Sequence, residues 1–313
     1  MAVKLVAMSH SPLLGYNDPG EEVKQEMEGS FEKVREFVKD YDPDLIINFA
    51  PDHYNGFFYD HMPPFCVGFQ SLGVGDYDSQ EGFLDTPEEL AQDLAQFIMD
   101  NEVDVAISRR MEIDHGAVQP MEIIYGDIAA KPVIAVYVNG LARPFVPMKR
   151  VRLLGKAIGA WAAAQDKKIL LISSGGLSHD PPVPQWVTAD EKARKLMLNG
   201  RYPTPEARAE RQERVISTGR KFAAGEMTNI LDLNPEWDRE FMRRCASGDP
   251  TAFDSYTVEG MDREAGHSSH EVRTWVAGFS ALAEATGGDY EIEFEYYRAI
   301  KEYIAGFGIM LAN

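Results

Sequence analysis

Cysteine is nearly absent. Cys66 and Cys245 are the two in 313 residues, far too few to staple a secreted scaffold, so a reducing compartment is expected. Long apolar runs are missing too: no stretch reaches the ~18 residues of a membrane span. The N-terminus, MAVKLVAMSH, lacks a basic region followed by a long apolar core. A soluble, cytoplasmic protein with no membrane partner is therefore expected. Positive charge is in deficit, since 31 Lys and Arg stand against 50 Asp and Glu, a formal charge of −19. The acidic residues are spread along the chain, so the surface should repel polyanions, and nucleic acid is not an expected partner. There is no internal repeat, low-complexity tract or Gly/Ser-rich linker to mark a boundary, and residues 1–313 are expected to form a single domain.

What is present is the pattern of a layered α/β fold. Near-continuous apolar runs over Val3–Met8, Leu45–Ala50, Val105–Ile107, Val133–Val138 and Ile169–Ile172 predict buried strands. Helical spacing lies between them. In Glu21–Tyr41, Val23, Met27, Phe31, Val34 and Val38 share one face, and Pro87–Met99 and Met148–Ala164 behave alike. This alternation predicts a central sheet flanked by helices. Residues 185–250 are charged and helical in tendency, which predicts a helical insertion in the C-terminal half. The tail, YIAGFGIMLAN, is too apolar for a free end and is expected to join the core or an interface.

In open α/β sheets ligands bind beyond the carboxyl ends of the strands. His10 follows the first strand, His53 follows LIINFAPD, His179 follows ILLISSGGLS, and His115 lies in MEIDHGAVQP after the Val105 strand. A lone histidine near a strand end is ordinarily a satisfied structural group. Four of seven in such places predict one shared cleft. His61, His267 and His270 carry no comparable argument and are read as structural.

GHSSHEVRTW admits two readings. Ser268 and Glu271 fit the S-x-x-E capping box at the start of the helix that follows. Alternatively, Glu271 is a carboxylate ligand kept ionised by the positive end of that helix. Two neutral imidazoles and a carboxylate would form a facial triad with open positions, which suits non-haem Fe(II). Zn²⁺ could occupy the same set in a hydrolase. Other chemistries lack their motifs: the residue four after His270 is Thr274, so H-E-x-x-H is absent. SSGGLSH is no G-x-S-x-G elbow, GVGDYD fails the dinucleotide fingerprint, and no G-K-[ST] occurs. DPPVP, residues 180–184, is a stiff turn suited to fixing the angle of His179.

Taken together, SHSPLLG, PDHYNGFF, EIDHGAVQP, SSGGLSHDPP and SSHEVRTW resemble the class III extradiol ring-cleaving dioxygenases, the protocatechuate 4,5-dioxygenase-like group. The likeness spans nearly the whole chain. Carried over by motif, it implies Fe(II) ligands at His10, His53 and Glu271. It implies a proton donor at His115 and a proton acceptor at His179, with Asp114 and Pro181 positioning that pair. The implied reaction opens a catechol ring with O₂ beside, not between, the two hydroxyls. The implied substrate is 3-(2,3-dihydroxyphenyl)propionate, with its cinnamate analogue; a catechol of the gallate or protocatechuate type is the alternative. A non-catalytic binding relative would lack the acid/base pair, and both of its histidines are present. The expected assembly is a homo-oligomer, a tetramer being one candidate.

Overall fold

In the computed structural model, which describes residues 3–227 and 229–313, four of the five apolar runs form buried strands as expected, whereas the run at Val105–Ile107 gives a sheet-edge strand, Ala106–Ser108, with Ile107 exposed. The chain begins with β1 (Val3–Met8), α1 (Glu21–Tyr41) and β2 (Leu45–Ala50). Three short strands follow, β3 (Phe65–Gly68), β4 (Ser71–Val74) and β5 (Glu81–Phe83), and then α2 (Glu88–Asp100). Next come β6 (Ala106–Ser108), β7 (Met111–Ile113), α3 (His115–Tyr125), β8 (Val133–Val138), α4 (Met148–Ala163) and β9 (Ile169–Ser174). The charged segment folds as α5 (Glu191–Asn199), α6 (Pro205–Ala223) and α7 (Pro235–Cys245). After α8 (Val258–Ala265) and α9 (Arg273–Thr286), the chain closes with β10 (Ile292–Ile300) and β11 (Ala305–Ala312). Among the described residues, no helix is long and apolar enough to cross a membrane.

One sheet runs β10-β11-β1-β9-β2-β8-β3-β6, and β5-β4-β7 forms a second, small one. At the centre, β1, β9, β2 and β8 are mutually parallel, with Val6 opposite Ile172 and Ile47 opposite Leu171. A parallel sheet must be covered on both faces. Side chains alternate accordingly. Val3, Leu5 and Ala7 enter one core with α4 and α9, while Val6 and Met8 enter another with α1 and α3. The predicted stripe of α1 is buried in that second core, where each large apolar side chain contributes ~1.5–3 kcal/mol.

The apolar tail is core. β11 lies antiparallel beside β1, Ala7 facing Met310, and all eight of its residues are buried. β10, which carries charge on alternate residues, forms the sheet edge outside it.

Candidate active site

Parallelism fixes where the site is. β1, β9 and β2 are neighbours running the same way, so the loops that leave their carboxyl ends emerge together and carry His10, His179 and His53. His115 arrives from the small sheet: β7 ends at Ile113, Asp114 caps α3 by accepting from Gly116 N at 3.0 Å, and His115 is the first helical residue. Glu271 lies in a short 3₁₀ turn, Ser269–Val272, that leads into α9.

The four histidines predicted to share a cleft do share it. Ring centroids lie 5.3 Å apart for His10 and His53 and 5.4 Å for His10 and His115, while His53 and His115 stack at 4.5 Å. Glu271 reaches into this group. Its Oε1 is 3.1 Å from Nε2 of both His53 and His179, and its Oε2 is 3.5 Å from Nε2 of His10.

Each imidazole is oriented by its outer nitrogen. Nδ1 of His179 donates to the Leu177 carbonyl at 2.9 Å. Nδ1 of His53 meets Asp114 Oδ2 at 3.2 Å, and Nδ1 of His115 meets Asp76 Oδ2 at 2.6 Å. Nδ1 of His10 lies 2.9 Å from Ser174 Oγ, whose own hydrogen goes to the Gly116 carbonyl, so the hydroxyl accepts from the ring. These partners fix Nδ1 as a protonated nitrogen and turn Nε2 inward, the atom that a metal-binding imidazole presents once it is deprotonated. Nε2 of His115 is buried and, among the described residues, has no hydrogen-bond partner.

Electrostatics sort the members of the cluster. Burial holds His10 down to about 3, against the pull of Glu271, so its ring is neutral. At His53 burial works in the same direction, but Asp114 and Glu271 outweigh it and the net shift is upward. His179 is likewise raised, burial being overcome by Glu271 and the Leu177 carbonyl. Burial alone would raise Glu271, yet His179, His10 and His53 hold it well below the usual carboxylate range. A buried carboxylate facing three imidazoles is ionised.

Tight packing keeps the cluster in register. A Cβ on Gly116 would stand 3.1 Å from His53 Cε1 and 3.3 Å from His10 Cε1. One on Gly175 would meet the Glu271 carbonyl oxygen at 2.7 Å. Behind His179, Asp238 accepts from Ser178 N, Ser178 Oγ and Tyr297 OH, each at 2.7 Å.

Two expectations need correction. Ser268 stands at the N-cap position but forms no capping box: its hydroxyl is buried without a partner among the described residues, and Glu271 turns to the imidazoles instead of back to the helix start. The carboxylate reading of Glu271 is the one the geometry favours. Asp114 adjoins His115 but holds His53, accepting its N–H at 2.7 Å and meeting its Nδ1 with the same oxygen. The partner of His115 is Asp76, which the sequence reading missed. It lies in GVGDYD, between β4 and β5, and takes both the N–H and the Nδ1–H of His115. Pro181 lines the cleft near His179. His270 pairs with Asp262 and His267 with Asp180, outside the cluster.

The cluster lines a cleft together with Leu13, Leu141 and Val215, an apolar wall of the kind that suits a small aromatic ligand. The helical insertion overhangs it. Arg211 of α6 donates to the carbonyls of His53 (2.7 Å) and Tyr54 (3.2 Å) and to Asn55 Oδ1 (3.3 Å). Arg208 donates to the Val74 carbonyl at 2.7 Å, and Arg201 to that of Gly56 at 2.8 Å. The pinned loops contain left-handed residues, Tyr54 at φ 56° and Tyr77 at φ 48°, conformations that cost on the order of 1 kcal/mol each without such support.

Comparison with known proteins agrees with this geometry. Residues 4–308 match the family described as the catalytic LigB subunit of aromatic ring-opening dioxygenase. A protein of Rhodococcus globerulus named 2,3-dihydroxyphenylpropionate/2,3-dihydroxicinnamic acid 1,2-dioxygenase is 61% identical over 312 residues, covering 100% of this chain and 98% of that one. Proteins of the same name from Rhodococcus rhodochrous and Xanthobacter autotrophicus are 57% and 46% identical, covering all of this chain and 98% and 99% of theirs.

Proposed function

Since the chain belongs to the family of catalytic LigB subunits of aromatic ring-opening dioxygenases, we propose that it cleaves 3-(2,3-dihydroxyphenyl)propionate, and the cinnamate analogue, in the extradiol sense with Fe(II) and O₂. The observation that carries this reading is the convergence of inward-turned imidazoles on an ionised Glu271 at the carboxyl ends of β1, β2 and β9.

The donor set fits a divalent metal. His10 is neutral with its lone pair inward, His53 is oriented by Asp114, and Glu271 supplies one negative charge. His10, His53 and Glu271 would hold the ion and leave positions open, the arrangement that suits non-haem Fe(II). A second triad competes, because ligand atoms of His10, His53 and His115 also lie within 4.8 Å of one another. Glu271 is preferred because its ionised carboxylate faces Nε2 of both His10 and His53 and would offset the charge of the ion. When bound, Fe(II) supplies joint binding of catecholate and O₂, through which electrons pass from the ring to oxygen.

The remaining histidines handle protons. With Nδ1–H committed to the Leu177 carbonyl, His179 exchanges protons through Nε2 and takes the second catechol proton. His115 has Nδ1–H committed to Asp76 and an Nε2 unpartnered among the described residues, so Nε2 is the atom that delivers a proton during ring opening. The sites of residues 10 to 271 act together, and we take residues 1–313 as one catalytic domain. Two free, buried cysteines accord with a cytoplasmic location, and a homo-oligomer is the proposed assembly, to be read by sedimentation.

The test is reconstitution with Fe(II) and a reductant, followed by a panel of catechols watched for a yellow ring-opened product. The expected result is preferred turnover of 3-(2,3-dihydroxyphenyl)propionate to 2-hydroxy-6-oxonona-2,4-dienedioate. Cleavage between the two hydroxyls, faster turnover of gallate or protocatechuate, or full activity of an iron-free zinc form would overturn it.

A further inference from the structure

The cleft joins unlike chemistries: the imidazoles and Glu271 share its lining with Leu13, Leu141, Met197, Val215 and Ile304. Arginine enters the lining at two places, Arg211 and Arg214, both on α6 and about 4.5 Å apart along its axis. They are not equivalent. Arg211 spends its guanidinium on the carbonyls of His53 and Tyr54 and on Asn55 Oδ1. Arg214 has one ion pair among the described residues, with Glu210 at 3.5 Å, and the two side chains are 66% and 73% exposed. A pair so exposed contributes little and is readily exchanged for another carboxylate.

An anionic substrate approaching a chain of charge −19 meets repulsion nearly everywhere, so a free guanidinium at the cleft is a distinctive feature. We propose that Arg214 receives the side-chain carboxylate of the catechol and thereby selects acidic 3-substituents over neutral ones of the same size. The proposal rests on the reading above for ring cleavage and assigns the group that meets the side chain. The ligand class is a catechol joined through a short apolar spacer to a carboxylate: the ring reaches the histidines, the spacer lies against the apolar lining, and the carboxylate displaces Glu210. A guanidinium offers two parallel N–H donors to a carboxylate, which a lysine ammonium cannot reproduce.

Steady-state kinetics on the iron-loaded protein test this with two substrates, 3-(2,3-dihydroxyphenyl)propionate and 3-propylcatechol, which differ in the carboxylate. For Arg214→Met, the preference for the acid over the propyl compound should fall by about 10- to 100-fold, mainly through KM for the acid, the scale of a charge-assisted hydrogen bond. Arg214→Lys should fall between Met and the parent, and iron content should match the parent in both variants. An unchanged preference, or an equal loss on both substrates, would overturn the proposal while leaving ring cleavage intact. A parent enzyme that opens neither catechol would overturn the reading on which the proposal rests.

Discussion

The inner end of the cleft and the helices overhanging it are built on opposite plans. At the inner end the functional groups are buried on short loops leaving a parallel sheet, and each imidazole is set by a hydrogen bond at Nδ1. At the rim the groups are long side chains on α6: Arg208 and Arg211, half-buried, hold the loops from outside, while Arg214 is exposed. Burial makes the inner end sensitive to charge, since an unpaired ion there costs several kcal/mol, whereas exposed pairs at the rim contribute ~0–1 kcal/mol. In the proposed reading, chemistry belongs to the buried histidines and Glu271, and positioning and selection to the arginines of α6.

Five substitutions probe that division, beginning with the largest expected effect. His10→Ala and His53→Ala each remove an inward lone pair, and we predict loss of tight iron binding together with turnover. Metal analysis after desalting checks this, and retained stoichiometric iron would contradict it. Next, His179→Ala should keep its iron and lose turnover by roughly 100-fold or more, the usual scale of an acid/base contribution. Loss of iron in that variant would make His179 a ligand.

Asp76→Asn should come third. The amide is nearly isosteric but removes the charge beside His115, and we predict a kcat about 10- to 100-fold lower, with KM and iron content little changed. Rescue of full activity in Asp76→Asn would show that the carboxylate is merely structural. Arg211→Met should have the smallest effect. It strips donors from three acceptors in the loop of His53, and we predict a stability loss of about 1–2 kcal/mol in urea unfolding. A midpoint identical to the parent would mean that the rim does not support the inner end.

The two ends also differed in how far the sequence revealed them. β1, β2 and β8 carry the predicted bounds, and α1 carries the predicted face, because a buried strand or an amphipathic helix writes its environment into consecutive residues. The four strand-end histidines were legible for the same reason, since their positions follow from the strands. Asp76 was not, because its pairing with His115 joins loops 39 residues apart and depends on how β4 aligns with β7. The S-x-x-E pattern was legible in two ways, and tertiary contact decided between them: three imidazoles attract the Glu271 carboxylate more than one backbone N–H does. The arginines of α6 fell within the charged segment read only as a helical insertion, because nothing local shows that their targets are carbonyls of a distant loop. β10 escaped notice as a strand because its charged alternation suits an exposed edge more than a buried run.

In the proposed metal site Glu271, not His115, joins His10 and His53. Iron stoichiometry measured side by side in Glu271→Gln and His115→Ala, both loaded anaerobically with Fe(II) and then desalted, tests this directly. The predicted result is iron lost from Glu271→Gln and retained at parent stoichiometry in an inactive His115→Ala. Iron retained in Glu271→Gln and lost from His115→Ala would contradict it and move the metal to the three-histidine set.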